Sequence, residues 1–372
     1  MENLFWITTL LLFYTYFGYP VIVYLLSRLF KSQSLAEEIS PEINLVMIVY
    51  NGEQFLETKI TNIFSSDYPT EKINLIIISD GSNDNTVKVL KKFSDQIEFY
   101  HYDERRGKTA CLNDAIAHCN KDYVVFADVR QRFASNTIRS LVSRLSDPKV
   151  GAVSGELVFE EEGHNVFSKG IDAYWRYEKF IRNNEASFSS VVGVTGAVYA
   201  IKRSLYKPVP DGVILDDVLI PMQVVMSGYR VVFEPDAIAY DYPSSDKDRE
   251  RSRKIRTLAG NYQLVSLLPA LLNPFKNPII IQFVSHKLLR LVGPFLLVMI
   301  FTSNLFLFSQ NDLYTLTLFI QLIAYLLAII STVNATVSKL IIVRLIRTFI
   351  TLNWYSFLGL VEYLKNKKTH LW

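Results

Sequence analysis

Only two cysteines, Cys111 and Cys119, occur in 372 residues, which excludes a disulfide framework and a cysteine-built zinc site. They fall on one expected helix, ~12 Å apart along its axis, and cannot bridge within it. The five histidines show no metal-ligand spacing. Charge is scarce at 20%, and 39 basic residues nearly cancel 36 acidic ones. A net charge of +3 gives nucleic acid no broad attraction, and low charge with 50% hydrophobic residues excludes a disordered chain. Glycine-rich nucleotide loops are missing too. The first expected strand is followed by Tyr50-Asn51-Gly52-Glu53, with one glycine where a dinucleotide fold wants three. Gly107-Lys108-Thr109 ends like a phosphate loop, but Tyr102 stands where its first glycine belongs. No internal repeat or low-complexity tract is found.

What the chain has in abundance is apolar and aromatic residues, unevenly spread. Leu4 to Leu26 is an uncharged run of 23 residues that ends against Arg28 and Lys31. A membrane-crossing helix needs roughly 20 apolar residues. The run is too long for a signal-peptide core, lacks a small-residue cleavage site and has its positive charge on the wrong side. Leu291 to Asn311 and Leu313 to Ser338 are uncharged over 21 and 26 residues and read as a helical hairpin, turning at Gln310-Asn311-Asp312. Thr348 to Val361 is uncharged for only 14 residues, between Lys339, Arg344 and Arg347 and Lys365, Lys367 and Lys368, and its spanning is left open. Basic residues favour the cytoplasmic side. Arg28, Lys31, Lys287 and Arg290 therefore place the middle of the chain in the cytoplasm and the protein in the cell (inner) membrane. Leu264 to Leu272 and the amphipathic stretch Ile279 to Arg290 read as interfacial helices, with helices of the soluble core as the alternative.

This divides the chain into an anchor (1–30), a cytoplasmic domain (31–262), interfacial helices (263–290) and a C-terminal transmembrane region (291–372). In the domain, short β-rich runs (Ile43–Val49, Leu75–Ser79, Ile97–Tyr100, Tyr123–Ala127, Val150–Leu157) alternate with helix-like segments (Glu53–Phe64, Thr86–Phe93, Thr109–Cys119, Asn136–Leu145). The alternation predicts an α/β fold with a parallel or mixed sheet covered by helices.

Ligands of such sheets bind outside the carboxyl ends of the strands. Three of those ends deliver an acidic residue: Glu53, Asp80-Gly81 and Asp128. Each alone reads as a turn; together they indicate a site. Gly107-Lys108 opens a helix and sets a cation beside free backbone N–H groups, suited to an anion, with Arg105 and Arg106 adding charge. Asp216-Asp217 stands among apolar residues, which raises a carboxylate's pKa and suits it to act as a base. A helix N-cap pair is the alternative. The basic stretch up to Arg256 suits either phosphate or a solvated helix. Trp175 and Tyr177 read as a sugar-binding groove or as structural aromatics.

These residues in this order resemble the membrane-integrated glycosyltransferases of family 2, the group of cellulose, hyaluronan and poly-N-acetylglucosamine synthases. The matching strings are Tyr50-Asn51-Gly52-Glu53, Asp80-Gly81-Ser82, Gly107 to Asn113, Asp128, Val194-Thr195-Gly196-Ala197, Asp216-Asp217 and Arg253-Lys254-Ile255-Arg256. The resemblance implies a GT-A type domain with a mixed, mainly parallel sheet, a UDP-sugar donor and an inverting transfer. Tyr50 and Glu53 would hold the nucleotide base and Asp80 the base or ribose, with Asn51 and Gly81 also in the donor site. Lys108, Asp128, Arg130 and Arg253 would line the rest of the donor site. Asp217 would be the general base with Asp216 beside it, and Arg256 would neutralise the leaving diphosphate.

Three departures qualify this. Asp128-Val129-Arg130 stands where the family has D-x-D, so an arginine replaces a carboxylate. A divalent ion, Mg2+ or Mn2+, is then left with Asp128 as its expected ligand, and Arg130 becomes a candidate phosphate contact. Ser79 precedes Asp80 where many relatives carry an aspartate. Thr257 replaces the tryptophan of Q-x-x-R-W. The expected function is transfer of a sugar from a UDP-sugar to a growing glycan of an exported or surface polysaccharide. Single addition to a lipid-linked acceptor and a non-catalytic nucleotide-sensing scaffold are the alternatives. Membrane lipids and a homo-oligomeric or export partner are the further partners this implies, and nucleic acid is not among them.

Overall fold

The computed structural model of the chain describes residues 1–30, 37–160, 168–242 and 247–365, with the side chains of 168–174 and 247 excluded. Lys31, Asp246, Lys367 and Lys368 lie outside the described residues. The principal elements are α1 (Glu2–Leu29), β1 (Ile43–Val49), α2 (Glu53–Phe64), β2 (Ile73–Asp80), α3 (Thr86–Lys92) and β3 (Glu98–Tyr102). There follow α4 (Lys108–His118), β4 (Tyr123–Ala127), β5 (Arg132–Phe133), α5 (Thr137–Arg144), β6 (Val150–Phe159) and α6 (Ser168–Phe188). The rest are β7 (Val198–Lys202), α7 (Asp216–Met226), β8 (Arg230–Asp241), α8 (Lys247–Leu267), α9 (Ile280–Leu307), α10 (Asp312–Val333) and α11 (Ile341–Lys365).

The strands form one sheet in the order β3-β2-β1-β4-β7-β6-β8-β5. Pairings β1–β2, β1–β4, β2–β3 and β6–β8 are parallel, and β4–β7, β6–β7 and β5–β8 antiparallel, the mixed and mainly parallel sheet expected. β1 is buried at every position, so its unbroken apolar run is what a strand covered on both faces requires. One face packs against Cys111 and Leu112 of α4 and Val218, Leu219 and Met222 of α7. The other packs against Leu56, Ile60 and Ile63 of α2 and Ile138, Leu141 and Val142 of α5. Because β1, β2 and β4 run parallel, their carboxyl ends open on one edge.

β8 escaped the sequence reading because Pro235 interrupts it. Proline cannot donate to a ladder and is tolerated in strands at irregularities. The β6–β8 register shifts there, between Ser154 opposite Phe233 and Glu156 opposite Ile238.

Among the described residues, four helices are long and apolar enough to cross a membrane: α1, α9, α10 and α11. Thr348 to Val361, left open above, lies within α11. The α9–α10 turn falls where expected, and the Asn311 side chain accepts from the Leu313 N–H to cap α10. Two expectations are corrected. Leu264 to Leu272 is the end of α8 and a following turn, with Leu264 and Leu271 buried in the domain core. Ile279 to Arg290 is continuous with the helix that runs to Leu307, and its polar Ser285 and His286 are buried. A helix with polar groups turned into protein has no need of the bilayer surface for them.

Candidate active site

The loops after β1 and β2 are laced together. Asn51 adopts a positive φ of 50°, and its side chain accepts the Asn83 N–H at 2.9 Å. The Gly52 N–H donates to Thr86 Oγ1 at 2.9 Å, and Glu53 accepts the Asn85 N–H at 2.6 Å. Asn51 and Glu53, both expected in the donor site, are thus engaged in holding the two loops. Asp80 is fully buried, and its carboxylate accepts the N–H groups of Arg106 (2.6 Å) and Gly107 (2.9 Å). It fixes the loop that starts α4. Gly81, at φ 66°, lies so close to that loop that a Cβ would come within 2.7 Å of the Arg105 nitrogen. The Arg105 guanidinium sits 3.9 Å over the Tyr50 ring. Tyr50 and Arg105 therefore form a flat, cationic platform at the outer end of the edge.

Toward the middle of the edge lies a cluster of charge. Lys108, at the start of α4, places Nζ 3.4 Å from both Asp128 Oδ1 and Asp216 Oδ2. Burial works against its charge, but Asp128, Asp216 and Asp217 outweigh burial and hold the ammonium above the ordinary lysine range. Asp216 and Asp217 are the first two residues of α7, and Leu215 occupies the cap position, so the N-cap alternative does not hold. Asp217 is half-buried. Burial first, and the Asp216 carboxylate second, push it up to about 6. Gly196 leaves room for it, since a Cβ there would stand 3.3 Å from the Asp217 Cβ. Arg256 on α8 is half-buried and lies in the field of Asp216, Asp217, Arg253 and Arg105. The edge thus brings together Lys108, Asp128, Asp216, Asp217 and Arg256: two cations, a half-exposed carboxylate, a buried one and a carboxyl group pushed up to about 6.

Two expected residues are placed elsewhere. Arg130 pairs with the nearly fully buried Asp241 at 2.5 Å, and Gln131 donates to the same carboxylate at 2.8 Å. The arginine is neutralised by β8, which accounts for its tolerance beside Asp128. Arg253 is exposed and pairs loosely (3.7 Å) with Glu250 on its own helix. For a divalent ion, no group of three His, Cys, Asp or Glu exists among the described residues. Asp128, the half-exposed carboxylate of the cluster, remains the expected ligand and fits an ion whose other ligands come from a diphosphate.

Sequence reasoning missed Lys59 and Arg182. Lys59 is buried under the Asp128–Phe133 loop, with Nζ on the Gln131 carbonyl at 2.6 Å and 3.5 Å from the Phe133 ring centroid. Burial lowers its pKa to about 7. A signal existed, since Lys59 falls in the i, i+3, i+4, i+7 stripe of Leu56, Ile60 and Ile63. Arg182 of α6 donates to Thr195 Oγ1 (3.0 Å) and Ser154 Oγ (2.6 Å), behind the turn that faces Asp217. No strand-end pattern marks it.

Comparison with known proteins agrees with this geometry. Residues 44–209 match the family model described as glycosyl transferase family 2. The poly-β-1,6-N-acetyl-D-glucosamine synthase of Staphylococcus aureus (strain COL) is 24% identical over 229 residues, 60% of this chain and 55% of that protein. The enzyme of the same description from Staphylococcus epidermidis is 23% identical over 204 residues, 53% and 49% of the two chains. The chain thus spans about half the length of these curated relatives. Among solved structures, the mannosyltransferase PcManGT from Pyrobaculum calidifontis, in complex with GDP-Man and Mn2+, superposes with a TM-score of 0.73 at 22% identity. That match covers 97% of this chain and 99% of PcManGT, so the likeness extends over the apolar helices as well as the sheet. Residues 44–209 thus match glycosyl transferase family 2, and the chain has a GT-A type fold carried between helices long enough to span a membrane.

Proposed function

We propose that the chain is a membrane-bound inverting glycosyltransferase that moves a sugar from a UDP-sugar to a growing surface or exported glycan. The observation that carries this reading is Asp217, a carboxyl group that titrates near 6 beside Lys108 and Arg256. Above that pH it can take the proton of an acceptor hydroxyl. The acceptor oxygen then attacks the anomeric carbon from the face opposite the diphosphate, and the carbon–oxygen bond to the diphosphate breaks. Lys108 and Arg256 supply positive charge where the leaving diphosphate develops negative charge. Tyr50 and Arg105 offer the nucleoside a flat surface. Asp128 would hold Mg2+ or Mn2+ together with the diphosphate, and the ion would add to this neutralisation.

The names of the Staphylococcus relatives support N-acetylglucosamine polymer as product, while PcManGT supports a GDP-linked donor. Membranes containing the protein, incubated with a panel of radiolabelled UDP- and GDP-sugars, discriminate these. Incorporation from a UDP-sugar into a long chain sustains the reading, and incorporation from GDP-mannose alone removes the UDP donor. Thr257, in place of the exit tryptophan, favours a second reading, one sugar added to a lipid-linked acceptor. Product length separates the two. The apolar helices and the basic residues flanking them support an inner-membrane location with the GT-A domain in the cytoplasm.

A further inference from the structure

An open cleft of about 310 Å³ lies between the second half of β6 and α6. Its volume falls within the ~300–1,000 Å³ of small-molecule sites. Phe159 and Trp175 form its aromatic wall, with ring centroids 5.6 Å apart and planes inclined by 58°. Trp175 stays 37% exposed and lines the cleft. Tyr177, the other half of the expected groove, is instead structural: its hydroxyl donates to the Tyr16 carbonyl at 2.8 Å. The polar wall holds Glu156 and Lys179, paired at 2.5 Å, together with Arg176 and Arg182.

We infer that this cleft is the acceptor subsite, and that it binds the non-reacting units of a glycan chain. The inference rests on the glycosyltransferase reading above. A sugar ring presents an apolar C–H face, which a flat indole covers, and a rim of hydroxyls, which planar charged groups can bond in pairs. This wall composition supplies both. An acyl or prenyl chain in the same place would strip water from Glu156, Arg176, Lys179 and Arg182 and return no hydrogen bonds. Position points the same way. Arg182 lines the cleft on one side and holds Thr195 on the other. Thr195 precedes Gly196, the residue against which Asp217 rests. Arg182 therefore links the cleft to the turn against which Asp217 rests.

The test uses the full chain in nanodiscs without donor. Pentasaccharides of β-linked N-acetylglucosamine, glucose and mannose are titrated by saturation-transfer NMR, and UDP by calorimetry. At least one pentasaccharide should bind the wild type. Trp175→Ala should weaken it about tenfold or more, Trp175→Phe should stay within about threefold, and the UDP affinity of both should match the wild type. The inference is overturned if Trp175→Ala binds the pentasaccharide within about twofold of wild type, or if no pentasaccharide binds at about 10 mM. It is equally overturned if the substitution weakens binding to vesicles containing polyprenyl phosphate and leaves the sugars unaffected. Donor turnover without pentasaccharide binding removes the cleft alone. Pentasaccharide binding lost in Trp175→Ala, with no sugar transferred from any donor, keeps the cleft and removes the glycosyltransferase reading.

Discussion

A carboxyl group half-buried beside a second carboxylate releases its proton only near neutrality, and Asp217 stands in that environment. Sugar transfer should rise with pH through about 6 and level off above it. Asp217→Asn keeps the shape but cannot take a proton, so transfer should fall ~10²–10⁴-fold with UDP affinity nearly unchanged. Asp216→Asn should fall less, because Asp216 acts on Asp217 and Lys108. Retention of more than about a tenth of the activity by Asp217→Asn removes it as the base. The same group has a stability signature. Its folded pKa lies near 6, above the ordinary 3.8, so its favourable contribution is present below the ordinary value and lost as pH climbs through 6. The melting temperature of Asp217→Asn should therefore exceed that of wild type above pH 6 and converge with it below about pH 4. Arg130 makes the opposite kind of prediction. Its partner Asp241 is buried, so Arg130→Ala leaves a carboxylate without its cation and should cost ~3–5 kcal/mol in denaturant unfolding. A loss of UDP affinity at unchanged stability would return Arg130 to the donor site. With one carboxylate on the diphosphate side, activity should persist in part in chelator. Complete loss in EDTA, restored by micromolar Mn2+, would show a fuller metal site than Asp128 provides.

Between elements, the feature with most at stake is the buried polar junction of α1, α6 and α9. His286 Nδ1 lies 3.0 Å from Glu185 and Nε2 3.0 Å from Glu178. Tyr19 donates to Glu185 at 2.5 Å, and Arg290 pairs with Glu178. The imidazole thus lies between two carboxylates of α6 and ties that helix to α9. His286→Leu takes the imidazole away from two buried carboxylates and should lower stability by ~3–5 kcal/mol, read as thermal unfolding in detergent. In sequence, His286 and Arg290 gave only an amphipathic pattern, which suits a membrane surface as well as a protein partner. α2 and β1 were legible to the residue, because one carries a clean 3.6-residue stripe and the other an unbroken apolar run. β8 was not, because Pro235 hides a strand whose bulge depends on its neighbour β6.

For the whole molecule, the apolar helices and the basic residues beside them set an orientation that can be measured. In a background lacking the buried Cys111 and Cys119, a cysteine at position 108 should resist a membrane-impermeant label in sealed cells, and one at 312 should react. Labelling at 108 overturns both the orientation and a cytoplasmic donor. The sequence by itself determined the apolar segments, the alternation of strand and helix, and the acidic residues at the strand ends. Each of these is written in neighbouring residues as composition or period. Only the tertiary structure decided what those residues do. Arg130 turns to Asp241 across 111 positions, His286 meets Glu178 across 108, and Asp80 closes on a loop 26 positions away. A side chain's partner is set by which elements pack together, and that packing minimises buried unpaired charge over the whole chain rather than within any stretch of it.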